Sequence, residues 1–364
     1  MSDDRCETVI LGAGPAGLAA ALSLKRRGRP YLLLEQGEEV GAGLRRLDPG
    51  MTLVSPAPLS RLPGMESFKG EAPYIAMGRY LELLERYRRQ HGLAVTTGAR
   101  VERVEREDGD GGGFAVVYRD GRDAAGASRS VAARFVINAT GVISTPRLPA
   151  GFDPAATAIP WCHSRELRRA ALAASHRLLI VGGGISADEV AVAWLQVRRP
   201  GERAWLSLRS RLWTAPRFLL GIDVHYWIWL IEQSPIVPGV WRKFRTNPIL
   251  GATLPAAIRS GGVLPVPPVE RYRGDEVALA NGQVIAPDLI VFATGYSYAT
   301  PHLGSLFRWP ANGRPRVRRC ESLDAPGLFL LGIHFGRTFA SPYLRGIARD
   351  AEYVARRIAR RAGG

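Results

Sequence analysis

Three glycines near the N-terminus have the spacing of a phosphate-binding turn. Gly12, Gly14 and Gly17 fill the positions of a G-x-G-x-x-G motif directly after the apolar residues 9–11. In this motif the first glycine makes a tight turn, the second lets a pyrophosphate approach the backbone, and the third lets the next helix pack on the strand. The N-terminus of that helix offers unpaired N–H groups and a positive dipole to phosphates. The spacing therefore predicts a dinucleotide site.

An acidic residue ends the next predicted strand. Residues 31–34 are apolar, as expected of a second buried strand, and Glu35 follows them. Glutamate at this point accepts hydrogen bonds from the ribose hydroxyls of the ligand. The motif lies at the N-terminal end of the sequence, a position typical of FAD. We therefore predict an FAD site, and we expect its further contacts at Pro15, Ala16, Gln36, Arg46, Thr140, Gly141 and Gly332.

The same strand–turn–helix pattern occurs again in the middle of the chain. Residues 177–181 predict a buried strand, Gly182 and Gly184 hold the first two glycine positions, and Ala187 holds the third. Alanine is acceptable there because close packing of the helix requires only a small residue. A second dinucleotide is therefore expected. Its further contacts are predicted at Ile185, Ser186, His163, Ser164, Thr294 and Gly295.

Arginines stand where the second pattern would otherwise have its acid. Residues 204–208 predict the next strand, and Arg209 and Arg211 follow it. An acid would bind a 2′-hydroxyl, whereas a guanidinium group pairs well with a 2′-phosphate. We therefore predict that the second site binds NADPH rather than NADH. The alternative is that both arginines are solvated surface residues of an arginine-rich chain.

Composition limits the classes of partner. The chain has 364 residues, enough for two domains, and a formal net charge of +16 that comes almost entirely from arginine. Such a charge is typical of proteins that bind nucleic acid or membranes, but it also arises from arginine-rich coding. No basic run is interleaved with aromatic residues, so we expect no nucleic-acid partner.

The cysteines and the N-terminus indicate the compartment and exclude two kinds of chemistry. Cys6, Cys162 and Cys320 are far apart in sequence and no C-x-x-C occurs, so we expect neither dithiol chemistry nor a metal site. The sequence begins without the charged and apolar regions of a secretory signal. We therefore expect a reducing, cytoplasmic location.

One segment interrupts the predicted α/β pattern. Residues 212–262 are rich in tryptophan and other aromatic residues, but Asp223, His225 and Glu232 break any apolar run of about 20 residues, the length that a membrane-spanning helix needs. Three interpretations remain open: a core-facing helical insert, a lid over an apolar substrate, and an interfacial helix that makes peripheral membrane contact through residues 212–245.

Several short motifs resemble the flavin-containing monooxygenases and their N-hydroxylase relatives. They are the FATGY at residues 292–296, the GGGISADE at 182–189, the loop at 62–64 and the Cys-His-Ser at 162–164. An Ala-Thr-Gly, at residues 139–141 and again at 293–295, follows each of two predicted buried strands. The resemblance covers nearly the full length and implies an α/β fold with two Rossmann-like dinucleotide-binding domains. The NADPH domain (153–284, with the insert 212–262) would be inserted into an FAD domain made of residues 1–152 and 285–364.

The resemblance also implies a reaction. NADPH would reduce FAD, and the reduced flavin would capture dioxygen as a C4a-hydroperoxide that transfers one oxygen to a small organic substrate at nitrogen, sulfur or a related centre. Ser55, His334 and Arg337 are candidates for groups near the flavin, although no catalytic residue follows from the sequence. Thr157 and Ile159 replace the Phe and Gly of the family's linker motif. Two alternatives therefore stay open: a reductase or dehydrogenase without productive oxygenation, and a flavoprotein with a mainly binding role. The substrate and the oligomeric state do not follow from the sequence.

Overall fold

The architecture comes from a computed structural model, which describes residues 4–107, 112–122, 127–141, 143, 145–233, 248–298, 300–310 and 315–363. The α-helices in these ranges are α1 Pro15–Lys25, α2 Met77–Gln90, α3 Arg169–Ala174, α4 Ile185–Val197, α5 Val224–Gln233, α6 Thr253–Arg259 and α7 Leu344–Ala362. Short 3₁₀ helices cover Leu44–Arg46, Ala57–Ser60, Pro154–Ala156 and Pro301–Leu306.

The strands fall into two larger sheets and several short pairings. Those of the N-terminal part are β1 Asp4–Leu11, β2 Tyr31–Leu34, β3 Ala99–Arg106, β4 Phe114–Asp120, β5 Ser128–Asn138 and β6 Thr145–Pro146. Those of the middle part are β7 Trp161–His163, β8 Arg177–Val181, β9 Arg203–Ser207, β10 Thr214–Ala215, β11 Phe218–Leu219, β12 Ile222–Asp223, β13 Ile249–Leu250, β14 Val263–Val266, β15 Val269–Arg273, β16 Glu276–Leu279, β17 Val284–Ile285 and β18 Leu289–Phe292. The last four are β19 Tyr296–Ser297, β20 Val317–Arg318, β21 Glu321–Ser322 and β22 Leu328–Leu330.

The first sheet has the order β2-β1-β5-β22-β21-β20, with β4 paired to β5 and β3 to β4. Strands β1, β2, β5 and β22 run parallel to their neighbours in this set. Helices α1 and α7 pack against each other on one face, and their apolar residues join those of α2 in one continuous core. The apolar run at residues 9–11 is therefore a buried strand with a parallel neighbour on each side.

The second sheet consists of five parallel strands in the order β14-β9-β8-β18-β7. All of them come from the stretch of sequence between β5 and β20, so this sheet is inserted into the sequence of the first. Strand β18 pairs with β8, so the predicted boundary after residue 284 falls inside the second sheet. Strand β7 pairs with β18 and forms one edge of this sheet.

The aromatic segment, which the sequence left open between a helical insert, a lid and an interfacial helix, is only partly helical. It begins with β10 and with a hairpin of β11 and β12, and only then forms α5. The predicted insert continues through residues 234–247, which lie outside the described residues, and resumes with β13 and α6. Within the described ranges, no helix has both the length and the apolar character needed to cross a membrane.

Candidate functional site

The first glycine turn has the geometry that its three glycines predict. Gly12 has a φ of 96°, and a Cβ on it would lie 2.9 Å from the carbonyl oxygen of Ala139. A Cβ on Gly17 would lie 1.9 Å from the Gly12 carbonyl oxygen, so only glycine lets α1 pack this closely on the turn. A Cβ on Gly14 would meet no atom within 4 Å. The turn is thus packed against protein at Gly12 and Gly17 and open at Gly14.

The N-terminus of α1 opens onto the same side of the turn. Pro15 is the first helical residue, and the first intrahelical bond is donated by the N–H of Leu18 to the Gly14 carbonyl. No described side chain caps this end and no acid lies in its first turn. The N–H groups of Ala16 and Gly17 therefore remain available to an anion, and the helix dipole favours one.

Glu35 is buried at the end of β2. Its Oε2 accepts a hydrogen bond from the N–H of Ala13 at 2.8 Å, and its Oε1 accepts one from Gly37 at 3.0 Å. Burial raises the pKa of this carboxyl, and the main-chain donors act against that shift. The carboxylate is therefore fixed beside the glycine turn, and each oxygen keeps a lone pair for a ribose hydroxyl.

The carboxyl ends of three strands meet at this edge of the first sheet. Leu11 is in register with Asn138, and Asn138 with Leu330, so Gly12, Gly332 and the segment after β5 converge. A Cβ on Gly332 would lie 3.7 Å from the Ala16 side chain. The remaining predicted contacts are Thr140, whose Oγ1 donates to Asn138, Gly141 with a φ of 83°, Gln36 directly after Glu35, and Arg46, which is exposed on a 3₁₀ helix.

These features fit FAD. An uncapped helix N-terminus, a glycine with open space at its Cβ and a fixed carboxylate are what a pyrophosphate and a ribose require. They lie at the carboxyl ends of parallel strands, which is where open α/β sheets bind ligands.

The second glycine turn repeats the first with one small change. Gly182 has a φ of 133°, and a Cβ on it would lie 2.3 Å from the Ala293 carbonyl oxygen. A Cβ on Gly184 would meet no atom within 4 Å, and the Cβ of Ala187 is fully buried. Ile185 and Ser186 begin α4, so their backbones lie at its N-terminus. This turn therefore also offers an open phosphate site.

Arg209 and Arg211 lie just beyond the carboxyl end of β9, beside the second turn. The N–H of Gly182 donates to the carbonyl of Ser207, the last residue of that strand. Both arginines are exposed, and neither forms a hydrogen bond or ion pair with a residue in the described ranges. Two guanidinium groups without a partner among the described residues fit the 2′-phosphate of NADPH.

His163 is the last residue of β7, Ser164 follows it, and both are buried. His163 Nε2 lies 3.1 Å from the Gly295 carbonyl oxygen, and its Nδ1 accepts a hydrogen bond from the N–H of Arg165 at 3.2 Å. Burial lowers the pKa of His163, which keeps the ring neutral at pH 7. The ring thus joins the end of β7 to Thr294 and Gly295, which lie just after β18.

A cavity of about 290 Å³ lies between residues 48–54 of the first part and α4 of the second. Its apolar lining includes Met51, Leu53, Val54, Leu167, Leu172, Ile185 and Val190. Ser164 and Ile185 both line it, and both are predicted to contact NADPH, so the cavity adjoins the expected NADPH site.

Two acids that line this cavity are not among the site residues predicted from the sequence. Asp188 and Glu189, in the first half of α4, face it without a hydrogen bond or ion pair to the described residues. Burial raises the pKa of Asp188 to about 6. Burial and the neighbouring Asp188 raise that of Glu189 to about 7. The detectable signal was an acidic pair directly after a glycine turn on an otherwise apolar helix.

The candidate catalytic residues have mostly structural contacts. The Ser55 carbonyl accepts a hydrogen bond from Ser60, and Ser55 follows the cavity residue Val54. His334 Nδ1 is hydrogen-bonded to Tyr298 Oη, which also accepts from the His334 N–H at 3.0 Å. Arg337 Nε donates to the buried Asp350 at 2.7 Å, which ties it to α7.

The comparisons with known proteins agree with this geometry. The family described as pyridine nucleotide-disulphide oxidoreductase matches residues 9–229, more than half of the chain. A flavin-containing monooxygenase from Stenotrophomonas maltophilia is 26% identical, with a TM-score of 0.78 and 99% of each chain covered. Indole-3-pyruvate monooxygenase YUCCA1 of Oryza sativa subsp. japonica is 27% identical, over 96% of this chain and 90% of the relative. A CzcO-like oxidoreductase of Geobacillus kaustophilus is 23% identical, over 96% and 97%.

The family's description mentions disulphide chemistry, but the sequence contains no C-x-x-C and its three cysteines are free. The full-length matches are to flavin monooxygenases, and they agree with the two open glycine turns and with the lack of a C-x-x-C in the sequence. The predicted cofactors, FAD and NADPH, are confirmed. The chain therefore belongs to the pyridine nucleotide-disulphide oxidoreductase family and is an FAD- and NADPH-dependent oxidoreductase of its flavin monooxygenase group.

Proposed function

We propose that this protein uses NADPH and dioxygen to oxygenate a small substrate at a soft nucleophilic atom, a nitrogen or a sulfur. The observation that carries the proposal is the position of the cavity. It adjoins Ser164 and Ile185, predicted to contact NADPH, and residues 48–54, which precede Ser55 on the side of the first sheet. Its volume of about 290 Å³ suits a small molecule, since ligand pockets begin at roughly 300 Å³.

The cavity's own residues supply binding and the exclusion of water. Met51, Leu53 and Val54 form an apolar wall opposite α4. When bound, FAD takes reducing equivalents from NADPH and activates dioxygen. That chemistry needs a site from which water is excluded, because water diverts it to peroxide. The apolar wall is the part of this chain suited to that task.

The two carboxylates on α4 favour an amine over a sulfide. Asp188 and Glu189 form no hydrogen bond or ion pair with the described residues, and the charge of Arg217, which also lines the cavity, only partly offsets the raised pKa of Asp188, so a protonated amine would satisfy both the cavity and the acids. The nitrogen must lose its proton before it reacts as a nucleophile. Glu189 Oε1 or Oε2, with a pKa of about 7, is placed to receive that proton.

A matched substrate panel tests this proposal. A tertiary amine, the thioether of the same shape and the corresponding ether are each supplied with NADPH and oxygen. Product, peroxide and NADPH consumption are then measured together. We expect product from the amine, less from the thioether, and only peroxide from the ether. Peroxide alone with all three compounds would favour the reductase alternative.

A variant that fills the cavity separates substrate binding from electron transfer. Leu53→Trp should lower product formation at least about ten-fold, because misplacing a substrate by an ångström has effects of this size or larger. NADPH oxidation by an artificial electron acceptor should persist. Val284→Trp, at an exposed apolar residue outside the cavity, is the matched control and should change neither rate. Equal loss of both rates in Leu53→Trp would contradict the assignment of the cavity to the substrate.

A further inference from the structure

Exposed large apolar side chains are concentrated in one segment. Of the eleven in the described ranges, seven lie between residues 213 and 231: Trp213, Phe218, Leu219, Leu220, Ile222, Leu230 and Ile231. Four of these belong to the β11–β12 hairpin, residues 218–223, which we call the apolar hairpin. Contiguous exposed apolar groups of this kind mark interaction surfaces rather than random surface residues.

The tip of the apolar hairpin is strained as well as exposed. Leu220 has a φ of 54° and Gly221 one of 75°, which gives the two-residue turn the left-handed conformation of an Asn-Gly hairpin. A leucine is unfavourable in that conformation, because its Cβ crowds the backbone. Leu220 is also 85% exposed. The protein itself gains nothing from an exposed, strained leucine, so the residue points to a function outside the fold.

The base of the apolar hairpin is firmly held. Asp223 is buried: its Oδ2 accepts from Tyr74 Oη, and its Oδ1 accepts from the N–H of His225 at 2.8 Å. Hydrogen bonds from Tyr74 and His225 hold the pKa of Asp223 below its usual value although burial acts to raise it. Trp227 Nε1 donates to the Leu219 carbonyl at 3.2 Å, which ties the hairpin to α5.

Helix α5 is itself tied to the first part of the protein. Glu232 near its end forms a 2.8 Å ion pair with Arg345 of α7, and both side chains are at most 5% exposed. Breaking such a buried pair is costly, because the remaining charge would have no partner. The apolar hairpin is therefore a rigid projection rather than a loose loop.

The acids of this segment are not at its surface. Asp223 and Glu232 are the only acids between residues 209 and 232, and both are buried and paired. The described surface of this segment therefore presents apolar groups and no exposed carboxylate. Together with a formal net charge of +16, this composition is complementary to an anionic surface.

We propose that the apolar hairpin docks this protein peripherally on an anionic lipid bilayer. Phe218, Leu219, Leu220 and Ile222 would enter the boundary between headgroups and acyl chains, and the net positive charge of the chain would attract it to anionic lipid. A second copy of the chain is a poorer occupant, because two copies carry the same large positive charge. The proposal does not depend on the substrate or on oxygenation.

Vesicle flotation tests the proposal with the holoenzyme. We expect the wild type to float with phosphatidylcholine vesicles that contain phosphatidylglycerol, to float less with pure phosphatidylcholine, and to be released by salt. Leu220→Asn suits the left-handed turn, so the fold should be kept and its melting temperature should not fall. It removes the most exposed leucine, and partition should weaken about ten-fold.

The matched control is Leu323→Asn, which changes another exposed leucine, 55% accessible and outside the segment. It should bind vesicles like the wild type. Absence of wild-type binding to anionic vesicles, or equal binding by Leu220→Asn, would overturn the proposal. A dimer in light scattering that Leu220→Asn dissociates would instead assign the apolar hairpin to a second copy of the chain.

Discussion

Helices α1 and α4 begin at equivalent glycine turns but lie in different surroundings. In α1 every residue from 16 to 24 is buried, because the helix is enclosed between the first sheet and α7. In α4 only Ala187, Val190, Ala191 and Trp194 are buried, and part of the helix faces the cavity. The same local motif is therefore deep in the core in one case and at an open cleft in the other.

The residues predicted to recognise the two ligands differ in the same way. Glu35 is buried and fixed by two main-chain N–H groups, whereas Arg209 and Arg211 are exposed and have no described partner. A preorganised site loses little entropy on binding, and an open site must order its side chains when the ligand arrives. This contrast is what a resident FAD and an exchanging NADPH require, because NADPH must enter and leave in each catalytic cycle.

Exchanging glycine and alanine at the third position of each turn tests the contrast in packing, and we expect its effect to be the largest. Gly17→Ala would place a methyl group 1.9 Å from the Gly12 carbonyl oxygen, with backbone on both sides of the contact. We expect a loss of about 3 kcal/mol in the free energy of unfolding, at the upper end of overpacking effects, together with loss of bound flavin. Urea denaturation and flavin absorbance measure both.

The reciprocal change at the second turn is the control. Ala187→Gly removes a buried methyl group and adds backbone freedom, so it should destabilise by only about 1 kcal/mol. Equal destabilisation by the two changes would mean that the turns are equally closed, which would remove the contrast between them.

Replacing the two arginines tests the difference in ligand. Arg209→Ala with Arg211→Ala should raise the KM for NADPH roughly ten- to a hundred-fold, since hydrogen bonds to charged groups contribute about 1.5 to 3 kcal/mol. The KM for NADH, which lacks the 2′-phosphate, should change little. Arg271→Ala with Arg273→Ala changes two exposed arginines of the same spacing on β15 and serves as the control. If NADH and NADPH were affected equally, the arginines would not bind the 2′-phosphate.

The two glycine turns, with their strands and helices, could be predicted from the sequence. Each glycine turn is coded within about ten residues, so the strand, the turn and the helix followed from spacing alone. The amphipathic spacing of residues 74–90 indicates a helix in the same local way, and α2 covers most of it as Met77–Gln90. Local patterns of this kind are reliable because the backbone geometry requires particular residues at fixed positions.

Contacts between segments that are distant in sequence could not be predicted. Tyr74 and Asp223 are 149 residues apart, and no pattern in the sequence indicates that they form a hydrogen bond. The cavity depends in the same way on the loop at residues 48–54 meeting helix α4, although the two are more than 130 residues apart in sequence. The composition of the aromatic segment left a helical insert, a lid and an interfacial helix open, and it did not indicate the hairpin that the turn at Leu220 and Gly221 forms. Tertiary contacts decided these features.

The acidic pair on α4 distinguishes the two helices further, because no acid lies in the first turn of α1. The pKa of Glu189 rises from 4.5 to about 7 in the folded protein, so folding favours its protonated form. This contribution to stability is complete below pH 4.5 and is lost as the pH rises through 7. Glu189→Gln should therefore leave stability unchanged at low pH and raise it by about 1 kcal/mol at pH 8, allowing for water in the cavity. Thermal melts of the apoprotein across this pH range measure the difference. A gain that does not depend on pH would show that the carboxylate is already solvated, and the cleft at α4 would then be wetter than its lining indicates.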